Sequence, residues 1–330
     1  MNKIKWAIVG PGAIAKEFTK DLDYLAGEEH EITAIVGHRK ESAHAFRNEF
    51  NIKSVYFSVS DLIKSEQLNA VYIASPHPFH HDACLELLEA KIPVLCEKPL
   101  AINGKQVKSL IDCAKRNNVF LMEGIWTRFL PSFGKVVDLI KSDTIGQIDS
   151  IEASMTYLAP YDAKSRYFDP LLGGGSLLDL GIYPVFLSYV LLGKPSNIQA
   201  FANLGPTNVD HSCTAILSYP NGTYSSIESS LTKQSPLEAT IFGKKGIIQI
   251  QPPWTEKPEQ IKVSLYDGSS ILYKPEWKGK GLHFEVAEIM KCLEDKKLES
   301  DLLPHSASLE IIQILDEIRS QTNIRYPHYE

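Results

Sequence analysis

The sequence has few cysteines, and their spacing matches no metal or redox framework. There are five in 330 residues, an odd number, and no two of them form a C-x-x-C pair. Disulfide scaffolds use cysteines in pairs, and structural zinc sites usually contain closely spaced cysteines. The pattern therefore predicts a cytoplasmic protein, in a reducing compartment, with neither disulfides nor a metal site.

An excess of positive charge and long apolar runs are also missing. The formal net charge is −6 at pH 7, whereas a nucleic-acid partner requires a basic face. We predict that no apolar run crosses a membrane, and that Lys3–Val9 is the first strand of the fold rather than part of a signal peptide. We therefore expect no nucleic-acid partner and no membrane partner. The length of 330 residues predicts two domains.

A short apolar strand, Trp6–Val9, runs directly into a glycine turn. The turn matches the G-x-G-x-x-A form of the dinucleotide fingerprint, and an amphipathic helix follows it. Gly10 would form the tight turn, and Gly12 would let the backbone approach a pyrophosphate at the helix N-terminus, beside Ala13 and Ile14. A plain glycine turn is the alternative, but the strand before it and the helix after it favour a nucleotide site.

An acidic residue is missing where an NAD enzyme usually has one. The second predicted strand, Ile32–Val36, is followed by Gly37, His38 and Arg39, without a carboxylate to bind the ribose 2′-hydroxyl. Arg39 can hydrogen-bond a 2′-phosphate or stack on an adenine ring. A basic helical turn exposed to water is the alternative. The missing acid predicts NADP as the cofactor, with NAD less favoured.

Strands and helices alternate through the first third of the chain, which predicts a doubly wound parallel sheet. From Ile148 the pattern has a period of two, and the pairs Asn221-Gly222 and Asp267-Gly268 predict type I′ hairpins. We therefore predict an α/β protein with two domains. Residues 1–122 would form a Rossmann-type dinucleotide-binding domain. Residues 123–330 would form an α+β domain for substrate binding and oligomerisation, with a large, mainly antiparallel open sheet.

One predicted strand of the first domain, Val94–Cys96, is followed by a charged pair at its carboxyl end. Glu97 and Lys98 follow the strand directly, and Pro99 ends it. Open α/β sheets bind ligands outside the carboxyl ends of their strands, so Lys98 is a candidate active-site residue. A solvated surface ion pair, which would contribute little, is the alternative.

The preceding strand ends in a loop with three histidines, Ser75–His81. We predict that this loop lies at the mouth of the ligand crevice, with Ser75, Pro76 and His80 near the cofactor. A metal site is disfavoured, because Pro78 interrupts any regular helix through the two histidines that are four residues apart.

A second polar set lies on an otherwise apolar helix that follows Gly173–Gly175. Asp179 and Tyr183 are four residues apart and would share a face, and Gly181 between them indicates close packing. A helix that is apolar nearly all round is buried, and a buried carboxylate or phenol needs a partner. A polar stripe that faces solvent is the alternative. A carboxylate and a phenol near a lysine would form a proton-transfer set.

Three stretches, Gly10–Ala15, Glu97–Pro99 and Gly174–Asp179, together resemble the Gfo/Idh/MocA oxidoreductase family over nearly the whole chain. Within that family, Leu121–Phe129 is similar to the branch of dimeric dihydrodiol dehydrogenases and NADP-dependent D-xylose dehydrogenases. The family often dimerises through the open face of its second-domain sheet. The resemblance therefore implies a homodimer or a higher homo-oligomer.

The resemblance also implies roles for individual residues. Lys98 would be the active-site lysine, Tyr183 would take the acid/base place where many members have histidine, and Asp179 would be the carboxylate of the same site. The absent histidine at position 183 makes the transfer of inositol-dehydrogenase chemistry unsafe. The residues implied to border the nicotinamide and the substrate are Trp126, Arg128 and Arg166. The full set of predicted cofactor contacts is Gly10, Gly12, Ala13, Ile14, His38, Arg39, Ser75, Pro76, His80, Glu97, Lys98, Trp126 and Arg128.

The implied activity is an NADP-dependent oxidoreductase. It would move a hydride between the nicotinamide and the carbinol or carbonyl carbon of a sugar or vicinal diol, of the D-xylose or trans-dihydrodiol type. Tyr183 would exchange the hydroxyl proton, and Lys98 would stabilise the alkoxide. Two alternatives stay open: a non-catalytic nucleotide-binding sensor or regulatory subunit on the same fold, and a reductase of sugar ketones such as 1,5-anhydrofructose.

Overall fold

The computed structural model describes residues 4–25 and 30–330. They form two compact units. The first contains the described residues up to Trp126 together with Lys278–Leu309, and the second contains Thr127–Trp277 and Glu310–Glu330. Lys3, with which the predicted first strand begins, lies outside the described residues. The chain leaves the first unit after one long stretch and later returns to it.

A six-stranded parallel sheet forms the first unit. Its strands are β1 (Ile4–Val9), β2 (His30–Val36), β3 (Ser54–Tyr56), β4 (Ala70–Ile73), β5 (Val94–Glu97) and β6 (Leu121–Gly124). They lie in the order β3-β2-β1-β4-β5-β6, with every neighbouring pair parallel. This is the Rossmann order, in which ligands bind where the order reverses, between β1 and β4. The predicted doubly wound sheet is confirmed.

Helices connect these strands, and polar caps begin two of them. The connecting helices are α1 (Ala13–Asp21), α2 (Lys40–Phe50), α3 (Val59–Ser65), α4 (His80–Glu89) and α5 (Gly104–Asn117). Ser58 caps α3 by accepting a hydrogen bond from an amide of its first turn, and Asn103 caps α5 by accepting one of 2.9 Å from the Gln106 amide. Each cap satisfies an amide that has no partner within its own helix. The caps therefore fix where the helices start.

An eight-stranded sheet forms the second unit. Its strands are β7 (Ile148–Thr156), β8 (Asn197–Leu204), β9 (Asp210–Ser218), β10 (Tyr224–Ser230), β11 (Ala239–Gly243), β12 (Gly246–Ile250), β13 (Ile261–Leu265) and β14 (Ser270–Tyr273). They lie in the order β14-β13-β12-β11-β7-β10-β9-β8, and among these pairs only β7 and β10 run parallel. The predicted, mainly antiparallel sheet is confirmed.

Helices α6 (Pro131–Lys141) and α7 (Ile182–Leu192) belong to this unit. By length and composition the segment Pro170–Leu192, which ends with α7, could cross a membrane, although we predicted no such run. The protein buries 78% of its apolar window, which is typical of a core helix. The segment is apolar because it packs inside the second unit.

The two predicted type I′ hairpins are wrong in turn type. Gly222 has a φ of +82° and its amide bonds to the Tyr219 carbonyl at 3.1 Å, while Asn221 is not among the residues of positive φ. The loop at Gly268, with a φ of +92°, has the same pattern. Both are three-residue loops, a turn followed by a left-handed glycine. In the first of them Pro220, with its fixed negative φ, occupies a central turn position and excludes type I′.

The return of the chain to the first unit was not predicted. Helix α8 (Leu282–Glu294) starts against α1, where the Asp21 carboxylate accepts hydrogen bonds of 2.6 Å from the Gly281 amide and 2.8 Å from the Leu282 amide. Helix α9 (His305–Thr322) begins at the sheet, and its first residue donates a hydrogen bond of 2.9 Å to the Leu121 carbonyl. A carboxylate at the start of a helix satisfies amides that have no partner within it. Asp21 thereby attaches the returning segment.

Candidate active site

The glycine turn has the geometry that a dinucleotide site needs. Gly10 has a φ of +104°, and a Cβ there would lie 2.6 Å from the Ser75 backbone nitrogen, so only glycine fits. A Cβ on Gly12 would meet nothing closer than 3.7 Å. No side chain among the described residues caps α1. The amides of Ala13 and Ile14 therefore remain for an anion, and these residues fit a pyrophosphate.

The carboxyl end of β2 carries exposed basic side chains. His38 and Arg39 are both exposed, and Arg39 is the residue that precedes the first turn of α2. The next residue, Lys40, places its ammonium 5.4 Å from the centre of the Phe57 ring. No carboxylate occupies positions 37–40. The exposure of His38 and Arg39 is compatible with a 2′-phosphate and equally with a solvated helical turn.

His80 connects the segments that follow β4 and β5. The ring is fully buried, with Nε2 at 2.7 Å from the Ser75 carbonyl and Nδ1 at 2.8 Å from the Pro99 carbonyl. Burial, the dominant effect, lowers the pKa of His80. The ring therefore holds the predicted cofactor loop against the residue that follows Lys98. Among the described residues, no three His, Cys, Asp or Glu side chains form a potential metal site.

Glu97 is not part of a solvated surface pair. Its side chain is 9% exposed, and Oε1 accepts a 2.5 Å hydrogen bond from the hydroxyl of Tyr72 on β4. Oε2 accepts a hydrogen bond of 3.3 Å from the Lys98 amide. The Lys98 residue follows β5 directly and is half-buried. The Tyr72 ring in turn stacks on Phe18 of α1, with the ring centres 3.9 Å apart. The segment that carries Lys98 is thus anchored through Glu97 to two neighbouring elements.

Two buried carboxyl groups near this anchor were missed in the sequence. Glu123 on β6 accepts a 2.8 Å hydrogen bond from the Leu100 amide, and burial raises its pKa to about 7. Glu285 on α8 is fully buried, and neither oxygen has a hydrogen-bond partner among the described residues. Burial, followed by the charge of Glu97, raises the pKa of Glu285 well above its ordinary value. The sequence contained a signal for each of them. Glu123 lies within an apolar strand, and Glu285 lies on the apolar side of a helix.

In the second unit, two of the predicted substrate residues form an ion pair. A guanidinium nitrogen of Arg166 lies 2.6 Å from Asp179 Oδ2. The Asp179 side chain is 9% exposed and that of Arg166 is 53% exposed, so the pair extends from the interior to the surface. The guanidinium also lies 4.8 Å from the centre of the Tyr167 ring. The arrangement presents hydrogen-bond donors and a carboxylate side by side, which is the complement of adjacent hydroxyl groups.

The helix that carries Asp179 is not regular. Leu177–Gly181 is a π-helical turn, and α7 follows with Tyr183 as its second residue. Asp179 and Tyr183 are each 7% exposed, so the alternative of a solvent-facing stripe is wrong. A Cβ on Gly181 would lie 3.1 Å from the Ser229 hydroxyl, which confirms the predicted close packing. Single π-turns are frequent at functional sites, where they change the direction of side chains.

Trp126 and Arg128 lie in a short 3₁₀ turn, Trp126–Phe129. In the first unit, the indole nitrogen of Trp126 is buried and has no hydrogen-bond partner among the described residues. In the second unit, the Arg128 guanidinium lies 5.7 Å from the Phe133 ring centre, and Thr127 donates a 2.7 Å hydrogen bond to the Thr255 carbonyl. The indole N–H is thus a buried donor that the described residues leave without an acceptor.

The chain matches two family descriptions in succession. Residues 4–125 match "Oxidoreductase family, NAD-binding Rossmann fold". Residues 133–249 match "GFO/IDH/MocA C-terminal domain". The chain belongs to the Gfo/Idh/MocA oxidoreductase family. The resemblance read from the glycine turn, the Glu97–Pro99 stretch and the Asp179 helix is confirmed, and with it the class of nicotinamide-dependent oxidoreductase.

The family assignment agrees with individual relatives. The chain is 32% identical over 334 residues to trans-1,2-dihydrobenzene-1,2-diol dehydrogenase of Mus musculus, with 98% of each chain covered. The fold is also that of a 3-ketoreductase from Actinomadura kijaniata in complex with NADP and TDP-benzene (TM-score 0.86, 22% identity, 97% and 98% of the chains covered). It is shared by a levoglucosan dehydrogenase in complex with NADH and levoglucosan (TM-score 0.87, 18% identity, 98% of both chains). The predicted dihydrodiol dehydrogenase branch is confirmed by the first of these.

Proposed function

We propose that the protein is an NADP-dependent dehydrogenase of vicinal diols or sugars. The observation that carries this proposal is the Arg166–Asp179 pair, with 2.6 Å between guanidinium nitrogen and carboxylate oxygen. The guanidinium donates hydrogen bonds and the carboxylate accepts them, so the pair can bind two neighbouring hydroxyl groups at once. The relative from Mus musculus is named for a trans-diol, which supports the same substrate class.

Three residues of this chain have catalytic roles in the proposal. The bound cofactor supplies or accepts the hydride. Tyr183 exchanges the proton of the reacting hydroxyl, and Lys98 stabilises the alkoxide by its charge and a hydrogen bond. Asp179 orients the substrate through the hydroxyl next to the reacting one. The buried anchor at Glu97 supports the role of Lys98, because it fixes the backbone on which the lysine side chain starts.

NADP rather than NAD is the proposed cofactor. The end of β2 has His38 and Arg39 where an acidic residue would favour NAD. The solved relatives use both cofactors, since the 3-ketoreductase was determined with NADP and the levoglucosan dehydrogenase with NADH. The choice therefore depends on the residues of this chain, and these favour the 2′-phosphate.

The same proposal includes a homodimer, or a higher homo-oligomer, that forms through the second-unit sheet. It also includes a cytoplasmic location without nucleic-acid or membrane partners. Phe201 on β8 is 77% exposed, although aromatic side chains of this size are usually covered. Its neighbour across the strands is Thr214. The next pair along the two antiparallel strands, Ala202 and Cys213, faces the covered side. Phe201 therefore lies on the open face of the sheet.

The test is a substrate screen with purified protein. Trans-dihydrodiols, aldoses and inositols are each offered with NADP and with NAD, and the absorbance of the reduced cofactor is followed. We expect turnover with diols or aldoses and a lower KM for NADP. Reduction of sugar ketones by NADPH without oxidation of any diol or aldose would instead support a ketone reductase. Cofactor binding without turnover of any substrate would support the sensor.

A further inference from the structure

Gly174 and Gly175, the double glycine before the Asp179 helix, pack on one side against the segment that follows Arg166. A Cβ on Gly174 would lie 2.8 Å from the Tyr167 carbonyl oxygen and 3.0 Å from the Asp169 nitrogen. The Gly175 amide donates a 2.9 Å hydrogen bond to the same Tyr167 carbonyl. The glycine backbone thus packs directly on the residues that follow Arg166. Its position therefore determines how Arg166 meets Asp179.

The other side of the double glycine is held by two buried polar groups. Gly175 has a φ of +120°, and a Cβ there would lie 2.2 Å from Asp210 Oδ1 and 3.1 Å from the Tyr326 hydroxyl. That hydroxyl donates a 2.7 Å hydrogen bond to the Gly174 carbonyl. Tyr326 is 1% exposed and comes from the segment after α9, 152 residues away from Gly174 in the sequence. A distant part of the second unit therefore anchors the glycine backbone.

Asp210 also caps the π-turn itself. Its Oδ2 accepts hydrogen bonds of 2.7 Å from the Ser176 hydroxyl and 2.7 Å from the Leu177 amide, with which the π-turn begins. The Ser176 hydroxyl lies 2.9 Å from that of Ser229 on β10. Asp210 is fully buried, and its second oxygen has no hydrogen-bond partner among the described residues. Its bonds are concentrated on the segment that leads into Asp179.

This concentration argues against a purely structural carboxylate. Burial of a carboxylate destabilises a fold unless good hydrogen bonds offset the loss of hydration. An apolar residue of similar size would avoid that cost but would leave the Leu177 amide without its acceptor. What the carboxylate provides is a fixed start for the π-turn. A fixed start of this turn matters at an active site, because small displacements of a functional side chain strongly lower the reaction rate.

We propose that Asp210 and Tyr326 are positioning residues for the Arg166–Asp179 pair. Tyr326 bonds the Gly174 carbonyl, and Asp210 bonds the first amide of the π-turn. These bonds fix the backbone that leads to Asp179, so that its carboxylate keeps one geometry toward Arg166. Neither residue touches substrate in this scheme. The inference rests on the proposed function of Asp179, and it adds a segment of the chain, the one with Tyr326, that the sequence did not connect with the site.

The first experiment compares two tyrosines of the same C-terminal segment. Tyr326→Phe removes only the hydroxyl that anchors Gly174. Tyr329→Phe is the matched control, because its exposed hydroxyl donates a 2.9 Å hydrogen bond to another carbonyl of the same loop region, that of Leu171. We expect kcat of Tyr326→Phe to fall about 10–100-fold with the Kd for NADP unchanged, and kcat of Tyr329→Phe to stay within about twofold of wild type.

The second experiment separates positioning from stability. Tyr326→Phe is combined with Asp179→Asn, and kcat is compared per mole of folded protein. If Tyr326 acts through Asp179, its loss should change kcat of the Asp179→Asn enzyme by less than about threefold. An equal loss in both backgrounds, or wild-type kcat in both Tyr326→Phe and Asp210→Asn, would overturn the inference.

A readout that needs no turnover keeps this inference distinct from the proposed function. Hydrogen exchange of peptides over residues 174–183 should be faster in Asp210→Asn than in wild type, and unchanged in Tyr329→Phe. If the wild-type protein turned over no diol or sugar, the proposed function would fail while faster exchange would still support the anchoring. Unchanged exchange in Asp210→Asn would refute the anchoring even in a fully active enzyme.

Discussion

The Tyr72 hydroxyl lies 2.5 Å from Glu97 Oε1, and both groups are buried at the carboxyl ends of adjacent strands. Burial, together with the nearby Glu97 charge, raises the pKa of Tyr72 well above its ordinary value. The phenol therefore stays protonated and remains a donor over the whole working pH range. Lys98 follows Glu97 directly, so this bond fixes the backbone that presents the lysine.

Tyr72→Phe should destabilise the first unit and slow turnover. It removes a donor from a buried acceptor, which typically costs about 1–3 kcal/mol in the free energy of unfolding. Chemical denaturation and kcat at saturating substrate measure the two effects. Tyr56→Phe is the matched control, because Tyr56 also bonds a glutamate, Glu66, at 3.0 Å but in a partly buried setting on the edge strand. Equal effects of the two substitutions would contradict the anchor role.

Arg39→Ala should weaken NADP far more than NAD. The loss of a charged hydrogen bond to the 2′-phosphate corresponds to about 1.5–3 kcal/mol, and NAD lacks that phosphate. Fluorescence titration of the two reduced cofactors gives both Kd values. Arg47→Ala, at an exposed arginine further along the same helix, serves as the control. A similar loss for both cofactors would mean that Arg39 does not distinguish them.

Lys98→Met and Tyr183→Phe should each lower kcat with little change in cofactor affinity. Methionine keeps much of the volume of the lysine stem but loses the charge, and phenylalanine keeps the buried ring but loses the transferable proton. Acid/base groups typically contribute about 10²–10⁴-fold, so kcat should fall by that order. Near-normal kcat in folded Tyr183→Phe with NADP bound would assign the proton to another group.

Glu123 should make the protein less stable as the pH rises from about 4.5 to about 7. Burial raises its pKa from 4.5 to about 7, so the folded state holds a proton that the unfolded state has already released in this window. The contribution to stability is complete below about pH 4.5 and is lost as the pH passes about 7, with a total of about 3 kcal/mol. Urea denaturation across this range should show a smaller decline for Glu123→Gln. Glu89→Gln, at an exposed position, should leave the decline unchanged.

Phe201→Glu should dissociate the proposed dimer. A charge on the open face of the sheet would be buried against the partner without a counter-charge. Light scattering after gel filtration measures the mass. Tyr266→Glu is the control, since Tyr266 is 65% exposed but lies in the loop after β13. A dimeric Phe201→Glu protein would place the contact elsewhere.

Local patterns were enough to predict the glycine turn, the strand Val94–Cys96, which the structure extends to Glu97, and the buried helix with Asp179. Each of them depends on residues within about ten positions of one another, where period and turn chemistry are informative. The place of Arg166 beside the substrate was implied only by the family resemblance, and its ion pair with Asp179 was not predicted. The π-turn at Leu177–Gly181 was not predicted, and its first amide is capped by Asp210, which lies on β9 and is 33 residues away in the sequence.

The buried carboxyl groups escaped prediction for a related reason. Glu285 lies on an amphipathic helix, and an acid there is normally assigned to the exposed side. Its burial follows from the return of α8 to the first unit, which depends on Asp21 and residues about 260 positions later. The type I′ assignment at Asn221-Gly222 failed because Asn-Gly occurs in two hairpin geometries, and Pro220 excludes type I′.

The attachment of α8 by Asp21 has a consequence for biosynthesis. The nucleotide-binding unit is discontinuous: its sheet comes from the first 126 residues, but residues 278–309 supply the helix that Asp21 caps and the partners of the Leu121 backbone. On the ribosome, that sheet and Asp21 lack these partners until residues 127–277 and then residues 278–309 have been translated. The nucleotide-binding unit is therefore begun first, but it completes its fold only after most of the second unit has been made.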